Sequence, residues 1–291
     1  MKSVFLRQLV LVILLVALAG CSSTRVAYRY ADWGIAWWVE DYVTLSGQQE
    51  SLLDAHIADI LQWHCSEELP RYSEWLATVE ADVTEKAPGR NTIANHQENA
   101  LRAMDRLLVA TTPAATQLLA SLSDAQVAEL ERTMATRQQE KEEEFLRPDP
   151  GEERRERKER IIERAERWLG QVNEQQREII SQWNRERGNQ TRIWLEGRAR
   201  WQQALLAALS ERDSPEFQER IAALIQNSEE FRGEAYQEMV AESRPALTDL
   251  LSGLLKTAEQ SQKRHLGAEL RSLRKDFEAL TCQPRSPSAD A

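Results

Sequence analysis

Apolar residues recur every three or four positions along most of the chain after residue 30. The pattern is clearest near the C-terminus, where Leu247, Leu250 and Leu254 begin a series that continues to Leu280. This spacing places apolar side chains on one side of a helix, and the alternation typical of strands is scarce. We therefore predict an all-α fold, a multi-helix bundle with long antiparallel helices. The last predicted helix runs from Pro245 to about Leu280.

Three predicted helix starts share one sequence pattern. They are Leu-Ser-Gly-Gln-Gln at residues 45–49, Leu-Ser-Asp-Ala-Gln at 122–126 and Val-Asn-Glu-Gln-Gln at 172–176. Each has an apolar residue, then a capping residue, then a glutamine three positions later, which is the pattern of a capping box. The first start is also similar to the LTxxQ motif of the Spy-type periplasmic chaperones, small helical proteins that cradle unfolded clients. The uneven spacing of the three starts does not indicate a solenoid.

Prolines and one charged segment divide the predicted helices. Because proline lacks a backbone N–H, we expect Pro70, Pro113 and Pro245 at helix boundaries. Residues 140–160, EKEEEFLRPDPGEERRERKER, predict a charged central hairpin that is broken at RPDPGEE. Such a run either reaches out to a partner or forms a solvated pair of helix ends, and the second is the more common case.

The N-terminus combines positive charge with a short apolar segment. Lys2 and Arg7 precede an apolar run at residues 9–19, which at about 1.5 Å per residue is too short for a hydrocarbon core of about 30 Å. This is typical of a cleaved secretory signal, here residues 1–20. Leu-Ala-Gly-Cys at residues 18–21 resembles the lipobox of bacterial lipoproteins, in which the cysteine is lipidated and becomes the first mature residue. The alternative is an ordinary signal peptide with a chance cysteine.

The resemblance to lipoproteins implies a location and an anchor. Cys21 would carry fatty acyl chains, and several chains hold a protein firmly to a bilayer. The next residue is Ser22, not the aspartate that retains many bacterial lipoproteins in the inner membrane. We therefore expect a protein on the periplasmic face of the outer membrane. Its expected parts are a lipidated tether at residues 21–30, a single α-helical domain at 31–282 and a disordered tail at 283–291.

Charge and cysteine content agree with export. The chain has a net charge of −10, and removal of Lys2 and Arg7 would make it more acidic still, so we expect no nucleic-acid partner. Once Cys21 is lipidated, two cysteines remain, Cys65 and Cys282. In an oxidising compartment such a pair favours a disulfide, and the alternative is two separate buried thiols.

The first predicted helix is rich in tryptophan. Trp33, Trp37 and Trp38 follow the lipobox closely, so they could rest on lipid headgroups as an aromatic belt. The helix is however apolar on most sides, which is typical of a helix buried by its neighbours. The pattern favours burial over membrane contact.

A second block at residues 63–72 carries the most specific pattern. It combines Trp63, His64, Glu68, Pro70 and Tyr72 in the order WHxxxELPxY, after the lipobox, the tryptophan-rich helix and the Leu-Ser-x-x-Gln start. These features resemble a family of proteobacterial outer-membrane lipoproteins of unknown function. The resemblance implies an α-helical exported lipoprotein, and it supplies no catalytic residues.

The chemistry of this block favours a structural role. His64 with Glu67 and Glu68 could suggest a metal site or an acid–base pair, but the chain has no HExxH or similar pair of histidines. We expect His64 to be a hydrogen-bonded core histidine. The Glu-Leu-Pro sequence is expected to form a turn, with Glu68 accepting from His64 or from backbone N–H groups. No metal and no cofactor are expected.

These observations predict a non-enzymatic lipoprotein of the cell envelope. It would act as a scaffold, adaptor or binding module, attached to the membrane through its N-terminal lipid and open to an envelope protein partner. The alternative is a Spy-like periplasmic holdase chaperone. An enzyme acting on cell wall or lipid is a third hypothesis, for which the sequence offers no residues.

Overall fold

The computed structural model describes residues 23–85, 88–146 and 149–284, and it contains no strand within them. This confirms the all-α, multi-helix fold. None of the helices in these ranges is both long and apolar enough to cross a membrane. Cys21, the predicted signal and most of the predicted tail lie outside the described residues. The helices in chain order are α1 (Ser23–Arg29), α2 (Ala31–Glu40), α3 (Gly47–Trp63), α4 (Leu69–Glu85), α5 (Arg90–Ala120), α6 (Asp124–Phe145), α7 (Pro150–Leu169), α8 (Glu174–Arg185), α9 (Gln190–Ser210), α10 (Phe217–Gln226), α11 (Glu234–Lys256) and α12 (Gln260–Leu280).

All three predicted capping boxes form, at the starts of α3, α6 and α8. The side chains of Ser46, Ser123 and Asn173 each accept from the backbone N–H three residues later, and the glutamine at that position accepts from the cap N–H. A fourth box begins α12, between Glu259 and Gln262. This box has no clear signal in the sequence, because glutamate is not among the favoured capping residues.

The glutamines of the four boxes bond to one another in two pairs. Gln126 donates to Gln49 over 2.7 Å, and Gln262 donates to Gln176 over 2.8 Å. The start of α3 is thereby joined to the start of α6, and the start of α8 to the start of α12. Gln176 is fully buried, so its amide would be costly to leave unpaired. The glutamines of the recurring motif therefore form two contacts, each between the starts of two helices.

The core consists of two hydrophobic clusters. The first is built on α3, α6, α9, α10 and the end of α5, and the second on α4, α7, α8, α12 and the end of α11. Leu53 and Ile57 of α3 belong to the first cluster, and Leu76 and Val83 of α4 belong to the second. Since α3 and α4 are joined by a single π-helical turn, His64–Glu68, the chain passes from one cluster to the other at that turn.

Two of the predicted helix boundaries at prolines are wrong. Pro113 lies inside α5, and Pro245 lies inside α11. A proline within a helix frees the carbonyl four residues earlier, and at Pro113 that carbonyl belongs to Val109, whose side chain is 56% exposed. Water can therefore satisfy it. The predicted last helix is divided instead at residues 257–259, between α11 and α12.

The long helices pack antiparallel. Along α4 and α12, Tyr72 meets Phe277, and Glu80 meets Arg271. The charged helices α6 and α7 follow one another around the RPDPGEE break, where Arg160 lies over the ring of Phe145. Each then packs mainly on other elements, α6 on α9, and α7 on α8 and α12.

Candidate functional site

The π-helical turn His64–Glu68 forms the centre of what we call the junction, residues 63–72 with their contacts. The predicted turn at Glu-Leu-Pro is wrong, because the helix continues through it with one extra residue. The N–H of Leu69 bonds the carbonyl of His64, five residues earlier. In the same register residue 70 would donate to the carbonyl of Cys65, but Pro70 has no N–H. That carbonyl accepts instead from the N–H of Cys282, over 3.2 Å.

The junction also contains the predicted cysteine pair. Cys65 and Cys282 are joined by a disulfide, with Cα atoms 5.3 Å apart and 217 positions between them in sequence. A separation above about 7 Å would have excluded the bond. Beside it, the side-chain amide of Gln62 donates to the carbonyl of Gln283 over 2.7 Å. The segment that directly follows α12 is thus held against the junction by the disulfide and by these hydrogen bonds.

A fully buried carboxylate lies beside the disulfide. Glu68 has an exposed fraction of 0%, and both of its oxygens accept from the guanidinium of Arg106, each over 2.8 Å. Arg71 and the hydroxyl of Tyr72 donate to it as well. The expectation that Glu68 accepts from His64 or from the backbone is therefore not met. A bidentate arginine pair is the strong form of such a contact.

The partners of Glu68 keep it ionised. Burial alone would raise the pKa of Glu68, but the hydrogen bonds from Arg106 and Arg71 outweigh burial and lower the pKa below its ordinary value. For Tyr72, burial and the nearby Glu68 charge raise the pKa to about 12. The phenol therefore stays protonated and donates to the carboxylate. Neither Glu68 nor Tyr72 therefore changes its protonation state near neutral pH.

His64 is surrounded by aromatic rings. Its ring centroid lies 5.6 Å from that of Tyr28, 6.2 Å from that of Trp63 and 5.6 Å from that of Tyr72. The hydroxyl of Tyr28 lies 3.0 Å from Nδ1 of His64. Burial lowers the pKa of His64, although the Glu68 charge opposes this. His64 is thus a half-buried, hydrogen-bonded histidine whose lowered pKa favours the neutral form.

The junction also holds the first helix of the described chain. The predicted tether at residues 21–30 is helical from Ser23 to Arg29 as α1. Its Tyr28 reaches His64, and its Arg25 forms an ion pair with Asp276 of α12, whose side chain is only 9% exposed. The segment that begins two residues after Cys21 is therefore packed against the junction.

The predicted burial of the tryptophan-rich helix is wrong. Trp33, Trp37 and Trp38 are 68%, 56% and 58% exposed, and α2 has no buried residue. Only Ala36 and Val39 of this helix pack on the first hydrophobic cluster. A short helix that lies at the edge of a bundle has neighbours on one side only, so its remaining apolar residues face outward.

The described residues show little that resembles a catalytic or metal centre. Within 23–85, 88–146 and 149–284, no group of three His, Cys, Asp or Glu side chains could hold a metal ion. A cleft of about 150 Å³ lies between the end of α4 and the start of α12, with Lys263, Arg264 and Arg271 in its lining. Arg271 is already paired with Glu80. The cleft is separate from the junction and contains no acid–base pair.

The sequence indicated only part of the junction. It singled out Trp63, His64, Glu68, Pro70 and Tyr72, and the structure brings these together with Cys65 and Cys282. It missed Arg106, Arg71 and Tyr28. Arg71 lies three residues after Glu68, a helical spacing that could have been noticed. Arg106 and Tyr28 are distant in sequence and carry no local signal.

Comparison with known proteins gives a family and no function. Residues 41–237 match the model of a family of unknown function, DUF6279. The match includes the Trp63–Tyr72 block but neither Cys282 nor the exposed tryptophans of α2. No curated protein and no solved structure is significantly similar to the chain. Because the match spans more than half of its length, the chain belongs to the DUF6279 family, whose function is unknown.

Proposed function

We propose that this protein is a non-enzymatic lipoprotein, anchored through a lipidated Cys21 to the periplasmic face of the outer membrane. It serves there as a scaffold, adaptor or binding module of the cell envelope. The observation that carries the proposal is the Leu-Ala-Gly-Cys sequence at residues 18–21, behind a short apolar run with positive charge before it. The proteobacterial lipoproteins that the block at residues 63–72 resembles have the same order of features.

Two structural features support the proposal. The helix α1 begins two residues after Cys21 and is fixed to the junction by Tyr28 and Arg25, so a lipid on Cys21 would lie at a defined end of the domain. The disulfide between Cys65 and Cys282 suits an oxidising compartment outside the cytoplasm.

The test of lipidation is the intact mass of the protein extracted from envelopes. We expect a chain that begins at Cys21 and carries the added mass of its acyl chains. The Cys21→Ala variant should retain residues 1–20 and lack that mass. The matched control is Cys65→Ala with Cys282→Ala, which removes the other two cysteines and should leave lipidation unchanged. Normal processing of Cys21→Ala would contradict the proposal.

Ser22 provides the test of location. If the second mature residue directs the protein outward, the Ser22→Asp variant should move from the outer to the inner membrane fraction, with its acyl mass unchanged. Retention of the variant in the outer membrane would remove this argument for location and leave lipidation intact. Crosslinking in intact envelopes, followed by purification under denaturing conditions, would then identify a protein partner.

A Spy-like holdase is the second candidate. The observation that favours it is the Leu-Ser-x-x-Gln start at residues 45–49, which is similar to the chaperone motif and bonds to a second such start through Gln49 and Gln126. A holdase should suppress the aggregation of an unfolded client in vitro. Full aggregation of the client in the presence of a stoichiometric excess of this protein would rule the holdase out.

A further inference from the structure

One row of exposed apolar side chains runs along α1 and α2. Val26, Tyr30, Trp33 and Trp37 are 50%, 61%, 68% and 56% exposed, and we call them the aromatic stripe. Their spacing of four, three and four residues places them on one side of a helix. The backbone hydrogen bonds from Tyr30 to Val26 and from Gly34 to Tyr30 carry the helical path across the boundary between α1 and α2. The stripe is therefore one continuous surface, about 16 Å long.

The orientation of the stripe is fixed because other side chains of α1 and α2 contact the rest of the protein. Ala36 and Val39 pack on the first hydrophobic cluster, Tyr28 contacts His64, and Arg25 pairs with Asp276. The stripe thus faces away from the protein, although its helices are firmly attached. Contiguous exposed apolar surface of this kind marks an interaction site in a folded protein.

The position of the stripe in the chain indicates what covers it. The described chain begins at Ser23, and Cys21 lies five residues before Val26. At no more than about 3.6 Å per residue, Val26 is within about 18 Å of Cys21. A lipid on Cys21 therefore keeps the stripe close to the bilayer surface. Tryptophan and tyrosine are the residues enriched at that depth of a membrane.

The charges around the stripe agree with a lipid surface. Arg29 is exposed beside the stripe and has no ion-pair partner among the residues that the structure describes. Its guanidinium is suited to a lipid phosphate. Glu40 is exposed almost one turn beyond Trp37, where the stripe ends. Asp32, in the first turn of α2, is exposed as well, but it lies on a different side of the helix from the stripe, because successive helical residues are about 100° apart.

We propose that the aromatic stripe lies in the headgroup region of the membrane that holds the lipid of Cys21. The inference rests on the proposed lipidation and extends it, because the stripe is a second contact that fixes the orientation of the domain. Through Tyr28 and Arg25, this orientation is transmitted to the junction. The membrane-facing end of the protein then comprises α1, α2 and the disulfide-linked end of α12.

The first experiment measures depth by fluorescence quenching. The lipidated protein is placed in phosphatidylcholine and phosphatidylglycerol vesicles that contain a lipid with a spin label near its headgroup. We expect quenching of tryptophan fluorescence, and we expect the Trp33→Ser plus Trp37→Ser variant to lose most of it. The Leu247→Ser plus Leu251→Ser variant is the control, because it changes two exposed apolar residues of α11 that are not part of the stripe. Unchanged quenching in the tryptophan variant, with its acyl mass present, would overturn the inference.

A second experiment separates the stripe from the lipid. The mature chain with Cys21→Ser carries no acyl group, and its flotation with the same vesicles reports the stripe alone. Burial of two tryptophans makes us expect binding that is at least about tenfold stronger than that of the same chain with Trp33→Ser and Trp37→Ser. This arm remains informative if lipidation itself fails. Equal flotation of both chains, or a stripe-dependent dimer that does not bind vesicles, would show that the membrane is not the occupant.

Discussion

The aromatic residues near the N-terminus form two groups with opposite surroundings. Trp63, His64 and Tyr72 pack at the junction around a buried carboxylate, whereas Trp33 and Trp37 lie on the surface in the aromatic stripe. Both groups lie on helices with apolar residues on several sides, so composition does not separate them. The difference is in their neighbours, because the junction lies between two hydrophobic clusters and α2 lies at the edge of one. A high content of aromatic residues therefore predicts contact with an apolar environment, but it does not show whether that environment is the protein core or a membrane.

If the junction is structural, loss of its disulfide should have the largest effect on stability. The bond closes a loop over a sequence separation of 217, for which the chain-entropy model gives about 5 kcal/mol. We expect Cys65→Ala with Cys282→Ala to lower the free energy of unfolding by an amount of this size, measured by urea denaturation. The wild type in reductant should behave in the same way. A loss below about 1 kcal/mol would show that the junction does not depend on its covalent link.

The pair of Glu68 and Arg106 should have the next largest effect. Removal of one partner leaves a buried charge with fewer bonds, which costs about 3 kcal/mol or more. We expect a loss of this size for Arg106→Met in urea denaturation, since methionine keeps much of the apolar stem. Arg102→Met is the matched control, because Arg102 lies one turn earlier on α5 and pairs with Glu98 at the surface. Similar losses for both variants would assign the effect to the helix rather than to the junction.

The pH dependence of stability provides a third test of the junction, through the pKa values of His64 and Glu68. Because the folded pKa of His64 is below its ordinary value of 6.5, the unfolded chain takes up the proton more readily. The contribution of neutral His64 is therefore full above pH 6.5 and is lost as the pH falls below that value. Glu68 has a lowered pKa, so its contribution is present above pH 4.5 and is lost as the pH falls through the folded pKa.

We expect His64→Gln to remove the decline in stability that begins just below pH 6.5. The lower decline, due to Glu68, should remain. Thermal unfolding at half-unit pH steps measures both. His56→Gln is the control, because His56 bonds to Gln117 away from the junction. If the upper decline persists in His64→Gln and disappears in His56→Gln, the assignment to the junction is wrong.

The aromatic stripe should have the smallest effect on stability. Exposed side chains lose little on truncation, so Trp33→Ser with Trp37→Ser should change the free energy of unfolding by less than about 0.5 kcal/mol in the absence of lipid. The same variant should differ from the wild type in vesicle binding. A loss of several kcal/mol without lipid would show that the tryptophans are part of the core, contrary to the comparison.

The sequence predicted the regular part of this fold well. The spacing of apolar residues and the capping boxes at Ser46, Ser123 and Asn173 gave helices that start where expected, because these signals act within one turn. The predicted helix boundaries at Pro113 and Pro245 are wrong because a proline can remain inside a helix where the carbonyl that it frees finds another hydrogen-bond donor. The pairing of the capping glutamines could not be predicted, since it depends on which helix starts meet in space.

The same limit applies to the junction. The motif at residues 63–72 and the cysteine count pointed to the right residues, but the roles of Glu68 and Pro70 depend on Arg106 and on the N–H of Cys282, which approach only in the folded chain. The exposure of Trp33 and Trp37 depends on how many helices pack on α2. The sequence around Trp33 and Trp37 does not show how many helices pack on α2.

Hydrogen exchange tests the distinction between the two regions most directly. Amide protection is compared between the lipidated protein on vesicles and the mature Cys21→Ser chain in buffer, which has no acyl group. We predict that amides at residues 61–72 are equally protected in both, because the junction is internal, and that amides at residues 23–40 gain protection on the vesicles. Equal protection of residues 23–40 in both samples, or a gain confined to residues 61–72, would contradict the account.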